Sequence, residues 1–144
     1  MFETETNNLD ESNKLFLYKQ LKTSMNKEYY VSSENLEYRK LITKFRISDH
    51  SLEIEKGRHY KIPRENRLCK TCNIIEDEKH FILNCNLNKI PRKTIFDIYS
   101  AEDPNFSNLT DDQKLSSILN PASSQQVKNT GSYLKQSLKL RSGD

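Results

Sequence analysis

The chain has 144 residues, of which 34% are hydrophobic and 30% charged, with a formal net charge of +3. That length fits one small domain, but the apolar fraction is below that of an average globular domain, so a core alone is a thin basis for the fold. Three cysteines cannot pair completely and no apolar run resembles a signal peptide or membrane span; this sets aside a disulfide scaffold and a membrane protein, and an intracellular, reducing compartment is expected, nucleus or cytosol unspecified.

Residues 1–11 are polar and acidic without periodicity and are expected to be a disordered N-terminus. Residues 12–47 read as a helical connector. Leu15, Phe16, Tyr18 and Leu21 recur at helical spacing and predict a helix from Ser12 to about Met25. Tyr29, Tyr30 and Val31 form a short apolar link. Ser33 is the expected N-cap of a second helix, with Leu36, Leu41, Ile42 and Phe45 as its buried stripe and an end near Ile47.

Residues 48–88 form a knuckle with a basic lead-in. Leu52 and Ile54 alternate with Ser51, Glu53 and Glu55, which predicts a short extended segment, with a turn at Gly57. Pro63 argues against a helix through this stretch. Leu68 to Ile75 predicts a tight hairpin, and Glu76 or Asp77 opens a short helix through His80 and Leu83. Residues 89–144 read as C-terminal helices. Pro91 sits in the first turn of a helix carrying Ile90, Ile95, Phe96, Ile98 and Tyr99. Thr110 and Gln113 form a capping box for a helix that Pro121 closes, and a last helix from Ser124 to Leu140 packs through Val127, Tyr133, Leu134, Leu138 and Leu140. The fold expected is a mostly α, small single domain with a short β-hairpin packed among amphipathic helices.

Cys69, Cys72, His80 and Cys85 read C-x2-C-x7-H-x4-C and use every cysteine of the chain. Thiolate plus imidazole is the usual donor set for tetrahedral zinc, so the spacing predicts one structural Zn2+. The rival readings are small buried cysteines without metal and a C-x-x-C redox pair; the second leaves His80 and Cys85 unexplained. His80 and Cys85 are five residues apart, about 140° around an ideal helix. The helix must therefore stop or loosen near Asn84 if both reach one ion.

Positive charge concentrates on the same stretch. Residues 39–93 hold fourteen Lys or Arg against seven Asp or Glu, a local +7, while residues 1–38 sum to −3 and 94–144 to −1. Arg58, Lys61, Arg64, Arg67 and Lys70 recur at every third position, which in an extended or polyproline-like chain returns them to one edge. With Tyr60 and His59 beside them, they suit the phosphate backbone of RNA or DNA. The alternative is that the arginines pair with Glu53, Glu55, Glu65 or the Glu76-Asp77-Glu78 cluster.

Residues 41–85 resemble the zinc-binding segment that follows the polymerase in reverse transcriptases of non-LTR retrotransposons. The likeness lies in the FRxSxHxLxIExGR lead-in, the IPRExRxCxxC turn and the EDExHF helix. A weaker similarity continues to the LKLR ending near Arg141, and the first 40 residues look like the connector after the polymerase thumb. The resemblance implies zinc on Cys69, Cys72, His80 and Cys85 and an accessory grip on template RNA or target DNA. It also implies that the chain is a fragment or relic of a larger polyprotein.

No catalytic arrangement is expected. Asp111-Asp112 lacks the preceding aromatic of a polymerase turn and sits in a first helical turn, where acids favour the dipole. Asp103-Pro104 is the reverse of a nuclease Pro-Asp. His50 is expected to cap or pack near its turn. The expected function is therefore a zinc-stabilised nucleic-acid-binding module that is not an enzyme, takes no small-molecule substrate and meets no membrane. The alternative is a structural or interaction module whose zinc only fixes the fold and which docks on a polymerase domain or partner chain.

Overall fold

The computed structural model describes residues 14–22, 30 and 34–143. The expected N-terminal disorder, a helix start at Ser12, its end at Met25, the link residues Tyr29 and Val31, and the Ser33 cap lie outside the described residues. Among the described residues six α-helices are formed: α1 Phe16–Leu21, α2 Leu36–Arg46, α3 Glu53–His59, α4 Lys89–Glu102, α5 Asp111–Leu119 and α6 Ser124–Ser142.

Local chemistry accounts for several boundaries. Asn35 caps α2 by accepting from the Tyr38 N–H at 3.1 Å. The Thr110–Gln113 capping box opens α5 with both reciprocal bonds present, as its sequence predicts. Ser123 caps α6 and Gly143, at φ +81°, ends it. The core gathers Leu17, Ile42, Phe45, Phe81, Leu115, Ile118 and Leu134 from separate helices. α6 runs along α2, and Gly131 makes the approach possible: a Cβ there would lie 2.2 Å from Cγ of Tyr38.

Four expectations are corrected here. The segment is helical from Glu53, with only Leu52 before it extended as the N-cap, because Glu76 supplies the cap bonds that its own sequence lacks. The Glu76 carboxylate accepts from the Glu53 N–H at 2.7 Å, and its carbonyl accepts from the Ile54 N–H at 3.0 Å. Gly57 lies inside this helix rather than at a turn, and the Arg67 side chain crosses it. The expected hairpin from Leu68 to Ile75 reduces to a single antiparallel bridge between those two residues, and no strand is formed among the described residues. The buried stripe of α2 is also narrower than expected, since Leu36 is 48% exposed.

Candidate metal centre

The knuckle begins as a tight loop. The Cys69 N–H donates to the Ile74 carbonyl at 2.7 Å, and the Asn73 N–H donates to the Cys69 carbonyl at 2.8 Å. Asn73 takes the left-handed conformation at φ 60°, which asparagine tolerates better than most residues. This loop turns the Cys69 and Cys72 side chains inward. The chain then returns through Glu76 to a short helical turn, opened by the Asp77 carboxylate accepting from the His80 N–H at 2.8 Å.

That turn is π-helical from His80 to Asn84. The Cys85 N–H donates to the His80 carbonyl at 2.7 Å, an i→i+5 bond. An α-helix would set these two side chains about 140° apart. One extra residue in the turn swings Cys85 back over His80. The sequence demanded a loosened helix near Asn84, and the π turn is the form it takes.

A π turn leaves carbonyls without their usual helical donors, and specific side chains supply them. Asn88 Nδ2 donates to the Phe81 carbonyl at 3.0 Å, and the Tyr133 hydroxyl donates to the Ile82 carbonyl at 2.5 Å. Arg92 Nη1 donates to the Cys85 carbonyl at 2.7 Å. The Asn86 N–H is aimed at Cys72 Sγ, 3.4 Å away. None of these four supporters carries a metal-ligand signature, and sequence spacing gave no sign of them.

The donor atoms of Cys69, Cys72, His80 and Cys85 lie within 4.8 Å of one another, close enough to hold one metal ion. Cys69 and Cys85 Sγ are 3.9 Å apart, and Cys72 and Cys85 Sγ are 4.0 Å apart. Two sulfurs on a tetrahedral ion with bonds of about 2.3 Å would be separated by about 3.8 Å. His80 is buried, and neither ring nitrogen has a hydrogen-bond partner among the described residues. Buried polar atoms seldom go without one, so a bare imidazole facing three sulfurs is the arrangement a metal would complete. Burial, with Cys69 and Cys72 alongside, pushes the Cys85 thiol up to about 12. Burial likewise lowers the His80 pKa against the pull of Asp77 and Glu76. A bound cation reverses the balance at the sulfurs, since a coordinated thiol is deprotonated.

The basic residues are placed differently from the expected single edge. Arg58 lies in α3 and pairs with Glu55. Arg64 Nη2 is 3.7 Å from an Asp77 carboxylate oxygen. Arg67 folds back, its Nε donating to the Ile62 carbonyl at 2.9 Å and its Nη1 to the Ile54 carbonyl at 3.2 Å. Burial and then the nearby Arg58 and Arg64 charges lower the Arg67 pKa, so the three guanidinium groups form a cluster. Tyr60, Lys61 and Lys70 are exposed, with Tyr60 edge-on to His59 at 5.1 Å between ring centroids. The helical winding of α3 and the left-handed Lys61, at φ 59°, break the three-residue period.

His50 has a local role. The Leu52 N–H donates to its Nδ1 at 3.3 Å, which leaves the ring proton on Nε2 facing the Glu78 carboxylate at 2.5 Å. Burial pushes the Glu78 pKa up, but the His50 and Ser48 hydrogen bonds outweigh it and hold it below the ordinary value. Asp111 and Asp112 occupy the first turn of α5, and Lys79 pairs with Asp112 at 2.6 Å. Among the described residues no helix is long and apolar enough to cross a membrane. No protein-family model, curated protein or solved structure matches the chain.

Proposed function

We propose that this chain is a zinc-stabilised module that binds nucleic acid through phosphate contacts and carries no catalytic site of its own. The observation that supports it most directly is the convergence of three sulfurs and the unpartnered imidazole of His80. A three-thiolate, one-imidazole set favours zinc over harder cations. Four protein donors leave no open position for a reactive metal-bound water, which suits a structural ion. When bound, the ion would neutralise the buried thiolates and tie the knuckle loop to the π turn. The local +7 over residues 39–93 supplies the attraction for a polyanion.

On this reading the chain works as the accessory region after a retrotransposon polymerase does, helping to hold RNA or DNA while a neighbouring domain performs the chemistry. Docking on a partner as the sole function would favour apolar stripes turned outward on the first and last helices. Leu17 and Leu21 of α1 and Val127 and Leu134 of α6 face the core, while Leu140 of α6 and Leu15 just before α1 are exposed singly and form no stripe among the described residues. Metal analysis of the purified chain together with a nucleic-acid titration tests the proposal. One zinc per chain, lost in Cys85→Ser, and binding that weakens steeply with salt are expected. A metal-free folded protein, or no binding at low salt, overturns it.

A further inference from the structure

The arginines nearest the knuckle are largely committed: Arg58 to Glu55, Arg64 to Asp77 and Arg67 to two backbone carbonyls. Exposed lysines gather elsewhere. A groove of about 610 Å³ lies between α2 and α6, with Leu41 and Leu138 in its lining and Lys40, Lys44 and Lys139 among its walls. These three lysines are exposed and join no ion pair among the described residues. Glu37 is the acid of the groove, and Lys135 already neutralises it at 2.8 Å.

Arg141 forms a wall of this groove and also of a smaller hollow beside the metal centre, where Lys56 and Lys70 stand exposed. Its guanidinium is clamped on Glu76, with Nε and Nη2 donating at 2.9 and 2.8 Å, so it joins the two hollows as a fixed wall. The exposed lysines of the two hollows thus flank Arg141, whose charge Glu53 and Glu76 offset, and lie away from Arg58, Arg64 and Arg67.

We infer that a single nucleic-acid strand lies in the α2–α6 groove, its phosphates held by Lys40, Lys44 and Lys139, and continues past Arg141 to Lys56 and Lys70. This rests on the nucleic-acid reading above and relocates the contacts within it. Packed helices have axes about 8–10 Å apart, so the groove between them takes one strand more readily than a duplex. Lysine suits phosphate as a point charge and imposes no sequence. An acidic amphipathic helix is the competing occupant. Two half-buried leucines are a meagre floor for one, against the roughly 800 Å² each partner buries in a standard interface.

The test is a titration of the metal-loaded full chain with oligothymidylate and with oligouridylate, repeated across salt concentrations. Lys40→Gln/Lys44→Gln/Lys139→Gln is compared with Lys61→Gln. Each lost phosphate contact lowers the log–log salt slope by about 0.7 for a single strand, so the triple variant is expected to lose about 2 and Lys61→Gln almost nothing. A loss seen with only one oligonucleotide supports the track and shows which of the two strands it takes. An unchanged slope in a zinc-loaded triple variant that binds as wild type does overturns the track and leaves the functional reading standing. A wild-type chain that binds neither oligonucleotide overturns both. Polyglutamate bound as tightly as the oligonucleotides, and lost in the triple variant, would also overturn the track by making the groove a protein-docking surface.

Discussion

Single residues carry several of the joins between distant parts of this chain. Glu76, 3% exposed, caps α3, receives both arms of Arg141 and sits four residues before His80. Removing Arg141 would leave that carboxylate buried with only backbone partners. Arg141→Met is expected to cost about 2–3 kcal/mol in denaturant unfolding, since hydrogen bonds to a charged group are among the stronger ones. Gly131 is a second such residue. Gly131→Ala would drive a methyl into the Tyr38 ring and is expected to destabilise by about 1–3 kcal/mol, part of it recovered when Tyr38 is also shortened. The Cys69, Cys72, His80 and Cys85 cluster was legible because few residue types suit zinc and their spacing is narrow. Arg141 and Gly131 were not, because their partners lie 65 and 93 positions away and nothing local marks the pairing.

At the scale of elements, the sequence reading found α5 from its own capping box, put the cap of α2 two residues early at Ser33 where Asn35 supplies it, and missed α3, whose cap comes from elsewhere. The Thr110–Gln113 box announced α5, whereas α3 was read as extended because its N-terminal donors are satisfied by Glu76. The extended path assumed for the basic ladder is likewise not the one formed, since helix and a left-handed residue occur along it. Lys61 holds the position after α3 where the Ile62 N–H reaches the Gly57 carbonyl at 2.8 Å, a geometry that glycine adopts without strain. Lys61→Gly is accordingly expected to raise stability by about 0.5–1 kcal/mol while leaving metal content unchanged. The π turn makes the opposite prediction for Tyr133. Tyr133→Phe keeps the ring but strands the Ile82 carbonyl, so it is expected to cost about 1–3 kcal/mol and to speed metal loss to a chelator.

For the whole molecule, the sparse apolar content and the ligand cluster belong together. Structural zinc contributes about 10–16 kcal/mol in small peptides, and even a modest part of that exceeds what a thin core leaves in reserve. Excess chelator is expected to lower the thermal midpoint by about 10 °C or more, restored on adding zinc back. Acid acts in the same direction. Released thiolates and imidazole bind protons that the loaded site excludes, so the metal-free state takes up more protons and stability must fall as pH falls. A midpoint that is indifferent to both chelator and acid would separate the fold from the ion.

The Tyr133 hydroxyl also has a practical consequence. The chain has no tryptophan and seven tyrosines, so its ultraviolet emission comes from phenol rings alone. One of those rings, 3% exposed, is bonded directly to the backbone between His80 and Cys85 of the candidate metal centre. Emission and near-ultraviolet dichroism should therefore report loading and stripping of the ion without any attached dye, and the Tyr133→Phe chain should be the variant in which that optical signal fades.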